Sequence, residues 1–237
     1  ITPEQGKTYK VRLTEPKTKS FQLIDLPKPI NEGLVAQVIN NAAANYITVF
    51  IQGNQSEKLV LVSQTRGIIN YMINGGLTNG IWGVRIPKEN LISGINQVTV
   101  LTESGVPVLE RLFFFQTDDE NIQLQALKTG NIDIREQIVL DISSTFGGAP
   151  TSGNYSVSIT DADQVQSEGG VRGSIFSDLL LTSDLKGQVY LPGYYFKDQE
   201  AGTLEALDLV MMTNGWRRFT WDKILEESYP EVERFIE

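Results

Sequence analysis

Tyr46-Ile-Thr-Val-Phe-Ile51, then Gly53-Asn54, then Leu59-Val-Leu-Val62 reads as strand, turn and strand, and decides the fold class of the first half of the chain. β-branched and aromatic side chains suit a pleated, half-buried surface, and alternation along the runs puts one face on a core and leaves the other wet. The same pattern recurs on either side. Upstream lies Leu34-Val-Ala-Gln-Val-Ile39; downstream follow Trp82-Gly-Val-Arg-Ile86, Gln97-Val-Thr-Val-Leu101 and Leu109-Glu-Arg-Leu-Phe-Phe-Phe115. Asn74-Gly75-Gly76, Asn79-Gly80 and Ser104-Gly105 supply turns, because Gly and Asn tolerate positive φ. Short β-prone runs at this spacing predict an all-β sandwich over residues 7 to 115.

Asp118-Asp-Glu-Asn121 is a polar step to a second β series, predicted at Ile122 to Leu127, Gln137 to Ile142 and Asn154 to Thr160. In the last of these, Tyr155-Ser-Val-Ser-Ile159 alternates as a half-buried strand should, after a loop at Gly147-Gly-Ala-Pro-Thr-Ser-Gly153. From Ser174 the period becomes helical, with Ile175, Phe176, Leu179, Leu180 and Leu181 on a helix closed by Gly187 and expected against this second sandwich. A further helix is predicted over Leu204 to Met212, with Thr203 as N-cap, Glu205 and Asp208 near its positive end, and Gly215 as its stop. Trp221 to Phe235 reads as one or two short helices broken at Pro230. The expected class is thus mainly β: two tandem antiparallel β-sandwich domains, residues 1–117 and 118–202, the second smaller and carrying the inserted helix. A C-terminal helical segment, 203–237, packs on the second domain or leads out of it.

The 237 residues are long enough for two domains with separate cores. There is no cysteine, which excludes disulfides and thiolate chemistry, and no histidine, which removes the usual general base and commonest metal ligand. A net charge of −9 and a pI near 4.7 argue against nucleic acid or an anionic lipid surface as partner and for simple solubility. No apolar run approaches the roughly 18 residues of a membrane-spanning helix. Ile1-Thr-Pro-Glu-Gln-Gly6 carries no signal segment, so any signal or lipid anchor, and any membrane attachment, is expected outside these residues.

The last third holds Leu179-Leu-Leu-Thr-Ser-Asp184-Leu-Lys186-Gly187, Pro192-Gly-Tyr-Tyr-Phe196 and Leu207-Asp-Leu-Val-Met-Met-Thr-Asn-Gly215-Trp216-Arg217-Arg218-Phe219-Thr-Trp221. These stretches resemble segments of large Bacteroidota envelope proteins, in which macroglobulin-like (MG, Ig-like) domains precede a carboxypeptidase-regulatory-like domain and a TonB-dependent receptor plug. The likeness is strong from about Ser177 to Trp221 and looser over the first sandwich, where Gln64-Thr-Arg66-Gly67 and Val106-Pro-Val-Leu-Glu110-Arg111 also look typical. It implies macroglobulin-like sandwiches in the cell envelope, periplasmic or at the outer-membrane surface. The expected role is a non-catalytic spacer or protein-interaction platform beside a TonB-dependent outer-membrane receptor, its partner an envelope protein or the rest of the parent chain. The protease trap of complement-type macroglobulins needs a Cys-Gln thioester, which a chain without cysteine cannot form. The alternative is a carbohydrate-binding module of a glycan-uptake system, and the remaining enzymatic reading is a carboxylate-based glycosidase.

Each candidate site has two readings. Tyr194, Tyr195 and Phe196, with Tyr190, form either an aromatic platform for a sugar ring or a wedge against the sandwich, the wedge being preferred because aromatics bury large apolar areas. Trp216 and Trp221 around Arg217 and Arg218 make either cation–π packing or a partner-binding patch. Ser183 and Lys186 match the spacing of a Ser-Lys nucleophile only formally, and a helix-end hydrogen-bond network around Ser183 and Asp184 is preferred. Asp118-Asp119-Glu120 and Asp161-Ala-Asp163 offer oxygen ligands for calcium but lack the spaced ladder of an EF-hand, so solvated turn carboxylates are preferred. Gly169-Gly-Val-Arg-Gly173 lacks the Lys-Ser/Thr of a phosphate loop. No catalytic residue, cofactor or metal is therefore expected.

Overall fold

A computed structural model describes residues 3–4, 6–54, 58–117, 122–129, 137–161, 172–198 and 200–214. Among these the chain is mainly β, with twelve strands in four antiparallel sheets and two short α-helices. It divides into two compact units; among the described residues one division lies between Asn90 and Leu91, and two fall inside strands, between Asn96 and Gln97 and between Arg111 and Leu112.

The first unit holds a two-stranded hairpin, β1 (Lys10–Thr14) and β2 (Phe21–Asp25), and two larger sheets. One has the order β3 (Leu34–Ile39), β4 (Tyr46–Gly53), β7 (Ile81–Pro87); the other has the order β6 (Ile68–Gly76), β5 (Lys58–Thr65), β8 (Gly94–Thr102), β9 (Pro107–Phe115). Successive strands fall in hairpin pairs within one sheet, β3–β4 in the first and β5–β6 and β8–β9 in the second, and the chain changes sheet between β4 and β5, between β6 and β7 and between β7 and β8. Ile47, Val49 and Ile51 of β4, with Val84 and Ile86 of β7, are buried on one sheet; Leu59 and Leu61 of β5, with Val98 and Val100 of β8, are buried on the other. Register puts Ile47 opposite Ile86, Val49 opposite Val84 and Leu61 opposite Val100, so each sheet turns a continuous apolar face to the core.

Two-residue turns set this register. Arg66 and Gly67 both take positive φ (52° and 86°) between β5 and β6, and Asn79 and Gly80 do the same (53° and 80°) before β7. Positive φ at both central residues is the turn whose twist matches that of paired strands. Asn74-Gly75-Gly76, expected as a turn, instead ends β6. The missing Cβ there has a packing use: one added at Gly75 would lie 2.4 Å from the Trp82 ring.

In the second unit β10 (Gln123–Thr129), β11 (Val139–Phe146) and β12 (Ala149–Pro150) form a three-stranded sheet. Gly147 and Gly148, at φ 56° and 80°, tighten part of the predicted loop into the β11–β12 turn. The predicted strand Asn154 to Thr160 is absent: those residues have no regular secondary structure and all are exposed. Their alternation of Tyr155, Val157 and Ile159 fits a strand, but alternation carries no partner with it, and a strand exists only where a neighbour completes its hydrogen bonds.

The helices are α1 (Ile175–Leu180) and α2 (Ala201–Thr213), with short 3-10 turns at Thr182–Asp184 and Pro192–Phe196. Ser174 starts α1 through a reciprocal cap: its Oγ accepts from the Ser177 N–H (3.2 Å), and the Ser177 Oγ accepts from the Ser174 N–H (2.7 Å). Helix α2 begins ahead of the predicted start, with Glu200 at the N-cap, so Thr203 is a buried helical residue rather than the cap. For the same reason Glu205 and Asp208 lie beyond the first turn and gain little from the dipole there. Gly215 lies outside the described residues.

Candidate functional site: an aromatic turn on a helical core

Leu181, Leu185, Val189, Leu207, Val210 and Met211 converge with Ile95 in one buried cluster, against which Leu112, Phe114, Tyr195 and Phe196 pack half-buried. Helix α2 and the residues that follow α1 therefore join residues at the ends of β8 and β9. The cluster contains no residue of β10–β12 and none of α1 itself, which packs against the two 3-10 turns that follow it. The period of a helix shows which face is apolar and leaves open which sheet it meets. Part of the apolar pattern of α1 is not used at all: Ile175, Phe176 and Leu179 are exposed while Ser177 is buried. Six residues make fewer than two turns, and the polar residue forced inward is the one spent on the cap.

The aromatic turn sits on this core. Leu191 enters it at φ 47° and ψ 60°, a left-handed conformation that costs a branched side chain about 1–2 kcal/mol. That kink carries Pro192-Gly193 into a single 3-10 turn and turns Tyr195 and Phe196 onto the cluster. Phe196 meets Phe114 edge-on, with centroids 5.5 Å apart and planes at 88°. Tyr194 and Tyr195 are also perpendicular, 5.4 Å apart at 87°, and the Lys197 ammonium lies 4.3 Å over the Tyr194 ring. Partial burial, aided by Tyr194 beside it, raises the Tyr195 pKa. Tyr190 remains 79% exposed.

Asp198, which the sequence reading did not single out, ties the turn to α2. Its carboxylate is bonded by the Thr203 side chain and accepts from the Glu200 N–H (3.1 Å), with the Lys197 ammonium 3.5 Å away. The Thr203 bond is the largest cause holding its pKa below the ordinary value. The signal for this role was present: an acidic residue a few positions ahead of an apolar helix.

The other chemical candidates resolve into local structure. Ser183 donates its hydroxyl to the Leu179 carbonyl (3.1 Å) and Thr182 donates to Asp178 Oδ1 (3.4 Å), which are helix-end bonds. Trp216, Arg217, Arg218 and Trp221 lie outside the described residues, as do Asp118, Asp119, Glu120 and Asp163. Among the described residues no group of three or more acidic side chains is placed to hold a metal. A depression of about 370 Å³ at the end of the β1–β2 hairpin, lined by Leu13, Thr14, Glu15, Ser20, Phe21 and Gln22, has Glu15 as its one ionisable group.

In the first unit, a polar row links the two fragments of looser resemblance. Gln97 Nε2 donates to Glu110 Oε1 (3.1 Å) and Gln64 Nε2 donates to Gln97 Oε1 (3.3 Å), so Gln64 on β5 and Glu110 on β9 are joined through β8. A series of side-chain hydrogen bonds of this kind holds neighbouring strands in register. No protein-family model matches the chain, and no curated protein sequence matches it either.

Proposed function

We propose that this chain is a non-catalytic, extracytoplasmic module of macroglobulin-like β-sandwich domains in a bacterial envelope protein, acting as a spacer or protein-interaction platform beside a TonB-dependent outer-membrane receptor. One observation carries the reading. Each resembling segment sends residues to one packed core: Leu181 and Leu185 from the first, Phe196 from the second, and Leu207, Val210 and Met211 from the third. A segment that builds a core has a structural duty, and Ser183 between those positions is bonded to the Leu179 carbonyl at a helix end, which supports the non-catalytic reading. The two looser fragments serve structure as well, meeting through Gln97. Taxon, location and receptor rest on the sequence resemblance alone.

The glycan-binding alternative draws less support. A sugar platform needs a flat, open ring face, whereas Tyr194 and Tyr195 stand at 87° and Tyr195 is packed on the core.

The decisive experiment is cell fractionation of the natural full-length protein in its source organism, combined with photo-crosslinking from a reactive amino acid at exposed Ile175. Recovery in the outer-membrane fraction, with crosslinks to one receptor polypeptide or to the parent chain itself, is the expected result. Recovery in the cytosol would overturn the proposal, and turnover of a glycan panel by the purified chain would overturn its non-catalytic part.

A further inference from the structure

The charge of this chain is unevenly spread. Between Gly6 and Ile30 the sequence holds six cations, Lys7, Lys10, Arg12, Lys17, Lys19 and Lys28, and two carboxylates, Glu15 and Asp25. The whole chain has 20 cations and 29 carboxylates, so everything outside this segment holds fourteen and twenty-seven. The most basic stretch of an acidic protein is thus its first hairpin.

That hairpin is also the least finished part of the fold. Strands β1 and β2 form a sheet of their own, and neither outer edge pairs with a further strand among the described residues. Every residue of both strands is exposed. A lone two-stranded ribbon is marginal in water, and an open edge is a template for another strand. Register sorts the side chains: Val11 opposite Ile24 and Leu13 opposite Gln22 share one face, while Arg12 opposite Leu23 and Thr14 opposite Phe21 share the other.

Some of the charge is used internally. Lys7 pairs with Glu4, Lys10 with Asp25 (2.8 Å), and Arg12 lies 4.5 Å over the Phe21 ring. At the tip, Glu15 accepts from the hydroxyls of Thr18 (2.5 Å) and Ser20 (3.4 Å), which engages the one carboxylate beside Lys17 and Lys19. Both lysines are exposed. A membrane-surface element needs cations bordering its apolar face, and here the face with Val11, Leu13 and Ile24 carries none.

We infer that the β1–β2 hairpin is a strand-addition site for an acidic, extended polypeptide. The added strand pairs main chain to main chain along one open edge, sets alternate apolar side chains beside Val11, Leu13 and Ile24, and brings carboxylates to Lys17 and Lys19. The inference stands apart from the envelope reading, since it uses only the hairpin.

The test is fluorescence anisotropy on the intact chain with a labelled peptide of about twelve residues alternating valine and glutamate, long enough to span a strand. Companion probes are the valine–lysine peptide, the valine–glutamate peptide N-methylated at alternate residues, phosphatidylglycerol vesicles and a single-stranded oligonucleotide. Binding of the glutamate peptide alone is expected, with slower amide exchange in residues 10–14 and 21–25. The Lys17→Glu/Lys19→Glu variant should bind it about tenfold more weakly and gain the lysine peptide, and salt near about 0.5 M should weaken the wild-type complex. Binding that survives N-methylation overturns strand addition, because no main-chain pairing would then be involved. Equal binding of both peptides, preference for vesicles or oligonucleotide, or no binding at all overturns the acidic partner.

Discussion

Strands β4, β5 and β8 bury their alternating apolar residues almost completely, whereas β10 and β11 carry a looser alternation and bury almost none of it. Ile47, Val49, Leu61, Val98 and Val100 are all 0% exposed. In the other sheet, register puts Leu124, Ala126, Leu140 and Ile142 on one face with Ser144, and Leu127 and Val139 on the other with Gln123, Gln125, Asp141 and Ser143. Its faces are less sharply divided, and Leu124, Leu127, Val139, Leu140 and Ile142 all remain exposed. Alternation therefore specifies that a strand has two unlike faces, and says nothing about whether a second layer covers the apolar one. The hydrophobic gain depends on area removed from water, so the two regions differ in stability far more than in sequence pattern.

The sharpest way to break this comparison is to truncate one residue on each side of it. Leu61→Ala, at a site 0% exposed on β5, should cost about 2–5 kcal/mol in chemical denaturation. Leu140→Ala should change stability by no more than about 0.5 kcal/mol. Similar losses at both would mean that the β10–β11 face is covered in solution. A smaller effect is expected from overfilling the well-packed region. Gly75→Ala pushes a Cβ into the Trp82 ring and should cost about 1–3 kcal/mol, most of it recovered when Trp82→Leu is added. Simple additivity of the two losses in thermal unfolding would show that the ring is not the obstacle.

Within the second unit, the cap of α1 distinguishes local from tertiary support. Ser174→Ala removes half of the reciprocal bond with Ser177 and should cost about 1 kcal/mol, since so much of this short helix is exposed. No loss would mean that Leu181 alone anchors it. The smallest effect is pH-dependent. The Asp198 pKa is held below its ordinary value, first by Thr203, so its contribution is full above about 3.8 and fades as pH falls through the lower folded value. Asp198→Asn should flatten that acid-side loss in the helical circular dichroism and lower the neutral-pH thermal midpoint slightly, since it lacks the carboxylate's contribution at every pH; an identical acid limb in the variant would show the carboxylate to be irrelevant.

The strands at Leu34–Ile39, Tyr46–Ile51, Leu59–Val62, Trp82–Ile86, Gln97–Leu101 and Leu109–Phe115 were legible because their signals agree: β-branched runs, period-two alternation, and turn residues such as Asn79-Gly80 and Ser104-Gly105 between them. Where signals were single they misled. Asn74-Gly75-Gly76 has turn composition, but Gly75 serves as clearance for Trp82. Tyr155 to Ile159 alternates without becoming a strand. Of the aromatic site, the wedge role of Tyr195 and Phe196 followed from their bulk, while the left-handed Leu191 that orients them could not be read, because nothing in a leucine favours that conformation.

What these residues determined by themselves is local: which segments pleat, which coil, where the chain turns, and that neither thiol nor imidazole chemistry is available. Tertiary structure alone decided which helical residues meet Ile95, Leu112 and Phe114, that Gln97 joins Gln64 to Glu110, and which apolar faces go uncovered. Periodicity is a property of one segment, whereas burial belongs to a pair of surfaces, and only the folded chain brings the second surface to the first.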